Sequence, residues 1–170
     1  MQIRQVNQND YESTYQLVKE AFQTAKVSNG TEQDFVLKLR EENSYIPELE
    51  LVAEENNQLI GHIMFTKQTI KTTSGDYIGL LVAPLCVKLE KRNQGIGKQL
   101  MYAGFKRAEE LGYTVAFLLG NFQYYKKFGF KPIKELKIEN KTPFPEEHVL
   151  GCEIVQGSLK NISGYIENLG

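Results

Sequence analysis

The sequence predicts an α/β domain built on a mixed, largely antiparallel central sheet, and three observations carry that expectation. First, strand-like apolar runs fill most of the stretch from Leu49 to Val87. Second, a helical pattern from Ile96 to Leu111 separates those runs from Thr114-Val115-Ala116-Phe117-Leu118-Leu119, a continuous apolar stretch of the kind buried on both faces. Strand, helix and buried strand in that order make a right-handed crossover joining parallel neighbours. Third, Pro84 interrupts the run from Tyr77 to Val87, and a proline inside a central strand removes a ladder hydrogen bond. The expected sheet is therefore parallel across its two middle strands, splayed between them near Pro84 and Leu85, and covered by helices on both faces.

The other elements follow in order. Met1 to Val6 alternates apolar and polar residues and reads as a first strand. Asn9-Asp10 offers a helix cap, and Tyr15, Leu17, Val18, Ala21 and Phe22 form an apolar helical face. Ser28-Asn29-Gly30 breaks that helix, and a second runs from about Thr31 to Arg40 on Phe35, Val36 and Leu39. Ser44 to Pro47 reads as a connection. Leu49 to Glu54 and Leu59 to Phe65, continuing toward Ile70, are strands joined at the Asn56-Asn57 turn, and Thr73-Ser74-Gly75-Asp76 turns the chain again. Leu100, Met101, Gly104, Phe105, Ala108 and Leu111 recur at helical spacing, and Gly112 closes that helix. Asn121 to Phe128 is a short helix ended by Gly129, Phe130 to Ile133 and Val149 to Val155 are the last strands, and the interval containing Pro143-Phe144-Pro145 reads as a surface loop. No internal repeat or low-complexity linker divides the chain, so residues 1–170 read as one domain.

Composition narrows the function. The chain has 170 residues, 41% hydrophobic and 24% charged, with a formal net charge of −1. These are values of an ordinary globular protein, and without a block of like charge no nucleic-acid partner is expected. Met1-Gln2-Ile3-Arg4-Gln5-Val6 lacks the apolar core of a signal peptide, and no apolar run approaches the roughly 20 residues needed to span a bilayer. No membrane partner is expected. Cys86 and Cys152 read as reduced thiols, and the expected compartment is the cytoplasm. Two histidines without a cysteine cluster give no reason to expect a metal.

The chemistry concentrates in Arg92-Asn93-Gln94-Gly95-Ile96-Gly97-Lys98-Gln99. Glycines just ahead of a helix expose backbone N–H groups that can hold an anion such as a pyrophosphate. A Walker-type loop would need glycine where Arg92 stands and Ser or Thr where Gln99 stands; a dinucleotide fingerprint would need a small residue in place of Leu100. Neither fits, whereas Arg-x-x-Gly-x-Gly does. Downstream, Tyr124-Tyr125-Lys126-Lys127-Phe128-Gly129-Phe130 places a tyrosine four residues before a Gly-Phe pair. Together with the intervening helix and buried strand, these two motifs resemble the GNAT superfamily of acyl-CoA-dependent N-acyltransferases over about residues 80–133. Leu51-Val52-Ala53-Glu54 and Leu59-Ile60-Gly61-His62-Ile63 extend the likeness to the family's second and third strands.

The resemblance implies transfer of an acetyl group from acetyl-CoA to an amine in a ternary complex, without a metal. The implied CoA-contacting residues are Leu85, Cys86, Val87, Arg92, Asn93, Gln94, Gly95, Ile96, Gly97, Lys98, Gln99, Asn121 and Tyr125. Backbone N–H groups from Gln94 to Gln99 would take the pyrophosphate, while Arg92 and Lys98 either add charge or form a solvated rim. Backbone near Leu85 and Val87 would pair with pantetheine, and the Val87 N–H would polarise the thioester carbonyl. Tyr125 would donate a proton to the departing CoA thiolate; the alternative is an aromatic packing residue with its hydroxyl on a carbonyl. Asn121 also reads as a helix cap. Glu54, its neighbour Glu55, and His62 are the candidates for a general base, each with a structural alternative as a solvated carboxylate or a hydrogen-bonded histidine. Cys86 suggests an acyl-enzyme, but no histidine neighbours it in sequence, and the family mechanism is direct transfer. The acceptor amine has no signature, a homodimer is compatible with the family, and two other classes compete: a non-catalytic acyl-CoA-binding module, and a structural domain whose glycines serve folding alone.

Overall fold

The computed structural model describes residues 1–26 and 28–169. They form two compact units: residues 1–66 with 83–107, and residues 67–82 with those from 108 onward.

In the first unit, β1 (Gln2–Gln5) pairs antiparallel with β2 (Tyr45–Glu55), and β2 with β3 (Gln58–Thr72). Asn56 and Asn57 form the tight β2–β3 turn with φ of 51° and 61°, left-handed values that asparagine tolerates well. Strand alternation sends successive β3 residues to opposite faces. Met64 packs with Leu17, Val18 and Ala21 of α1 (Tyr11–Phe22) and Val36 and Leu39 of α2 (Glu32–Arg40). Gly61 and Phe65 face the other way, against α3 (Ile96–Glu110), where a Cβ on Gly61 would lie 2.8 Å from Leu100 and one on Gly104 2.2 Å from the Phe65 ring. The expected helices on both faces are thus present, and two glycines set how closely α3 lies on its face.

Two local readings need correction. The first helix is capped one turn earlier than Asn9-Asp10: the Asn7 side chain accepts from the Asn9 N–H and Asp10 reaches back to the Asn7 N–H, closing a 3-10 turn that runs into α1. Ser44 to Pro47 is not a plain connection either. β2 begins at Tyr45, which pairs with Thr66, and a register irregularity between Tyr45 and Glu50 accommodates Pro47, which has no N–H to give a ladder.

In the second unit β4 (Gly75–Val87) lies parallel to β5 (Val115–Leu119), with Leu80 opposite Ala116 and Leu81 opposite Phe117. This is the parallel middle pair that the crossover pattern predicts. β6 (Lys131–Pro132) and β5 both pair antiparallel with β8 (Val149–Glu153). The predicted strand from Phe130 to Ile133 shrinks to these two residues because Ile133–Leu136 turns into a 3-10 segment. The region read as a surface loop contains β7 (Ile138–Asn140), which forms a second parallel pair with β9 (Gly164–Ile166), and β9 also pairs with the end of β3. Ile138 and Ile166 drop into a core with Ile70, Val115, Phe117, Ile133, Val149 and Leu159. Among the described residues no helix is long and apolar enough to cross a membrane, and no group of three or more His, Cys, Asp or Glu could hold a metal ion.

Candidate active site

The glycine loop is built by left-handed backbone at two positions. Asn93 has φ 63° and Gly95 φ 81°, and the Gln99 N–H donates to the Gly95 carbonyl at 3.0 Å, the first bond of α3. Helix geometry leaves the N–H groups of Ile96, Gly97 and Lys98 without intrahelical partners, turned outward from a helix whose dipole favours an anion there. Gly95 is required by its φ, since a Cβ there would meet open space. Gly97 lies within the first turn of α3, where the lack of a side chain keeps the N–H row approachable.

The basic residues around the loop are mostly spoken for. Arg92 is engaged by three protein acceptors. Its Nε donates to the Val87 carbonyl at 3.1 Å, Nη1 to Thr24 Oγ1 at 2.8 Å and Nη2 to the Ala21 carbonyl at 2.8 Å. The guanidinium therefore ties the end of α1 to the end of β4, using the fork geometry a lysine lacks. Lys91 pairs with Glu55, and Lys88 with Glu90 at 3.0 Å. Lys98 makes no ion pair among the described residues. Along β4, Leu85 and Val87 are half-buried while Cys86 points into the core with Met64, Leu17 and Val18. Burial pushes the Cys86 thiol up to about 12 despite the nearby Arg92, so it is a protonated core residue and a poor nucleophile.

The three candidates for a base all have protein partners. Glu54 accepts from Arg4 Nε at 2.7 Å, and Arg4 also grips Asp10 at 2.7 and 2.9 Å, a bracket that ties β1 to β2 and to the start of α1. Glu55 is held by Lys91, whose hydrogen bond and charge lower its carboxyl. His62 is fully buried, and its Nε2 lies 2.8 Å from Glu50 Oε1. Glu50, which the sequence reading passed over, is the centre of this cluster. It is also fully buried, and it accepts from Arg40 at 2.6 and 3.1 Å and from the Tyr45 hydroxyl at 2.6 Å. Burial works to raise the Glu50 carboxyl, but donors from His62, Arg40 and Tyr45 outweigh it and hold it at about 2. Burial and the same carboxylate push the Tyr45 hydroxyl well above its ordinary range. The alternation Leu49-Glu50-Leu51 reads as a solvated glutamate between core residues; only the fold, which brings Arg40, Tyr45 and His62 to one carboxylate, reveals otherwise.

The second motif forms one helical turn, α4 (Phe122–Tyr125), continued by a 3-10 turn to Phe128 and closed at Gly129 with φ 92°. Asn121 caps it, its side chain accepting from the Gln123 N–H at 2.8 Å. Tyr125 sits against Tyr124 at a ring-centroid distance of 4.8 Å and an interplanar angle of 88°, with Phe130 at 5.9 Å and Phe128 at 6.3 Å. Its hydroxyl makes no hydrogen bond among the described residues, so the alternative of a hydroxyl resting on a carbonyl is not what the fold contains. Burial, then the neighbouring Tyr124, push this hydroxyl up to about 12. It therefore stays protonated at neutral pH, as a proton donor must. Tyr124, 44% exposed, carries the Lys127 ammonium 4.2 Å above its ring.

Comparison with known proteins agrees with these features. Residues 2–133 match a family described as the acetyltransferase (GNAT) domain. The uncharacterized N-acetyltransferase YjhQ of Escherichia coli is 35% identical over 118 residues, 69% of this chain and 65% of that protein's own length. The crystal structure of the E. coli GNAT family N-acetyltransferase YhbS in complex with CoA superposes with a TM-score of 0.84 at 25% identity, covering 97% of this chain and 87% of the other. A Brucella melitensis GNAT family acetyltransferase in complex with acetyl-CoA gives a TM-score of 0.70 at 31% identity, over 76% of this chain and 82% of its own. With the family match spanning most of its length, and with the glycine loop and the tyrosine turn both formed, this chain belongs to the GNAT acetyltransferase family.

Proposed function

We propose that residues 1–170 act as a single GNAT domain that transfers the acetyl group of acetyl-CoA directly to an amine, with Tyr125 as the general acid. The observation that carries this reading is the protonated Tyr125 hydroxyl without a partner among the described residues, in a chain that also presents open N–H groups at the start of α3. Relatives crystallised with CoA and acetyl-CoA support that cosubstrate. The N–H groups of Ile96, Gly97 and Lys98 hold the pyrophosphate, aided by Gln94, while the Gln99 N–H stays with the Gly95 carbonyl and Leu85 and Val87 offer backbone groups to the pantetheine amides. The amine nitrogen attacks the thioester carbon, the carbon–sulfur bond breaks, and the sulfur takes the proton of Tyr125. The Val87 N–H stabilises the carbonyl oxygen as charge builds on it. Arg92 serves this site by bracing Val87 rather than by touching phosphate. Asn121 shapes the same turn as a cap.

Glu54 and His62 take structural roles in this proposal, because Arg4 and Glu50 already occupy them. An ammonium acceptor first gives a proton to water; once the neutral amine has attacked, its nitrogen sheds a second proton, which through water restores the Tyr125 hydroxyl spent on the sulfur, and Cys86 forms no acyl-enzyme. The test is a screen of amines with acetyl-CoA, following thiol release and, separately, CoA binding. Turnover with at least one amine is expected. Tight CoA binding without turnover on any amine would replace the enzyme by an acyl-CoA-binding module, and no CoA binding at all would end both readings.

A further inference from the structure

Gly120 has a role that neither motif contains. It follows β5, and its N–H donates to the His148 carbonyl at 2.9 Å, extending the ladder that pairs Leu119 with Val149. Its backbone is thereby fixed. Asn121 then starts the helical turn, and the Tyr125 N–H donates to the Asn121 carbonyl at 3.1 Å, which carries residue 125 back over residue 120. A Cβ on Gly120 would stand 2.6 Å from Cε2 and 2.9 Å from Cδ2 of the Tyr125 ring, and 3.0 Å from Leu118 Cδ1. Carbons in contact settle about 3.5–4.0 Å apart, so even a methyl group here must lift the ring by about 1 Å. The Gly120 φ lies outside the left-handed region, so the backbone itself would accept another residue; the ring is what forbids one. Tyr124, Phe128 and Phe130 crowd the same ring, which confines any retreat.

We infer that Gly120 is a positioning residue for acetyl transfer: its bare Cα is the bed on which the Tyr125 ring lies, and it sets where the hydroxyl stands. The inference rests on Tyr125 being the general acid. A misplacement of about 1 Å at a reacting group costs on the order of a hundredfold in rate. Gly120→Ala should therefore lower kcat by about tenfold to a hundredfold while leaving KM for acetyl-CoA unchanged.

The experiment compares Gly120→Ala, Tyr125→Phe and the double variant by thiol release from acetyl-CoA, with an added primary amine or water as acceptor. The expected result is that the double variant is no slower than Tyr125→Phe alone, because Gly120 acts only through the hydroxyl. Equal slowing by Gly120→Ala in both backgrounds overturns the inference, as does full turnover of Gly120→Ala where Tyr125→Phe is slow. Full turnover of Tyr125→Phe is a different failure: it removes the acid role and this inference with it. If Gly120→Ala does not fold, Gly120→Ala with Tyr125→Ala should, since the obstructing ring is gone; failure of that variant to fold also overturns the assignment.

Discussion

Arg92 and Tyr125 belong to the two motifs that mark this family, one in each compact unit, and the structure uses them in opposite ways. The Arg92 guanidinium gives all three of its nitrogens to protein acceptors: Ala21 on α1, Thr24 just beyond it, and Val87. The Tyr125 hydroxyl gives its proton to no protein group among the described residues, and its ring is the part that is anchored. In one motif the polar head is consumed by architecture; in the other the apolar body is consumed and the polar head is left available. A motif residue with a charged side chain is therefore not by that fact a ligand contact. The number of its internal partners decides.

The largest effect should come from the free group. Tyr125→Phe keeps the ring on Gly120 and among Phe128 and Phe130 but removes the acid, so kcat should fall by about a hundredfold to ten-thousandfold with thermal stability nearly unchanged. Equal losses of rate and stability would erase the contrast with Arg92. Next in size is the buried Glu50, whose carboxyl falls from its ordinary 4.5 to about 2. A lowered carboxyl stabilises the fold fully above 4.5, and this contribution is lost as pH falls from 4.5 toward 2. It amounts to about 3 kcal/mol. Urea midpoints should drop over that window in the parent protein, and Glu50→Gln should flatten the drop; the same drop in both would show that the cluster does not set acid stability.

Arg92→Ala should cost about 2 kcal/mol of stability, since it strands the acceptors at Ala21 and Val87, and Arg92→Lys should restore little because one ammonium cannot span three acceptors. A raised KM for acetyl-CoA at unchanged stability would instead return Arg92 to the ligand. Asn121→Ala, the loss of one cap, should cost about 1 kcal/mol by chemical denaturation. A loss of turnover at unchanged stability would make Asn121 a contact of the reacting molecules.

Much of this arrangement is local, and the local parts were legible. The crossover helix, the cap at Asn121 and the left-handed Gly129 each depend on residues a few positions apart, and the parallel pairing of Leu80 with Ala116 follows from the strand, helix, strand order. The parts that were not legible depend on side-chain or strand partners that no local pattern specifies. Nothing near Glu54 announces Arg4, and nothing near His62 or Glu50 announces that Arg40 and Tyr45 converge on the same carboxylate. β7 and β9, three residues each, are too short to show alternation and exist because they pair with one another. Gly120 escaped notice for a related reason. Its value lies in the Tyr125 ring five residues on, and glycine before an asparagine cap reads as an ordinary turn.

The two cysteines have a use in the laboratory that follows from where they sit. Cys86 belongs to the first unit and Cys152 to the second, both are buried, and burial pushes their thiols up to about 12 and about 11. Alkylating reagents attack the thiolate, so in the closed protein each sulfur is doubly shielded, by access and by protonation. Labelling then reports transient opening of the surroundings of one sulfur at a time. The wild-type chain thus carries one chemical clock in each unit, and mass spectrometry of the two tryptic peptides reads them side by side, before and after acetyl-CoA is added.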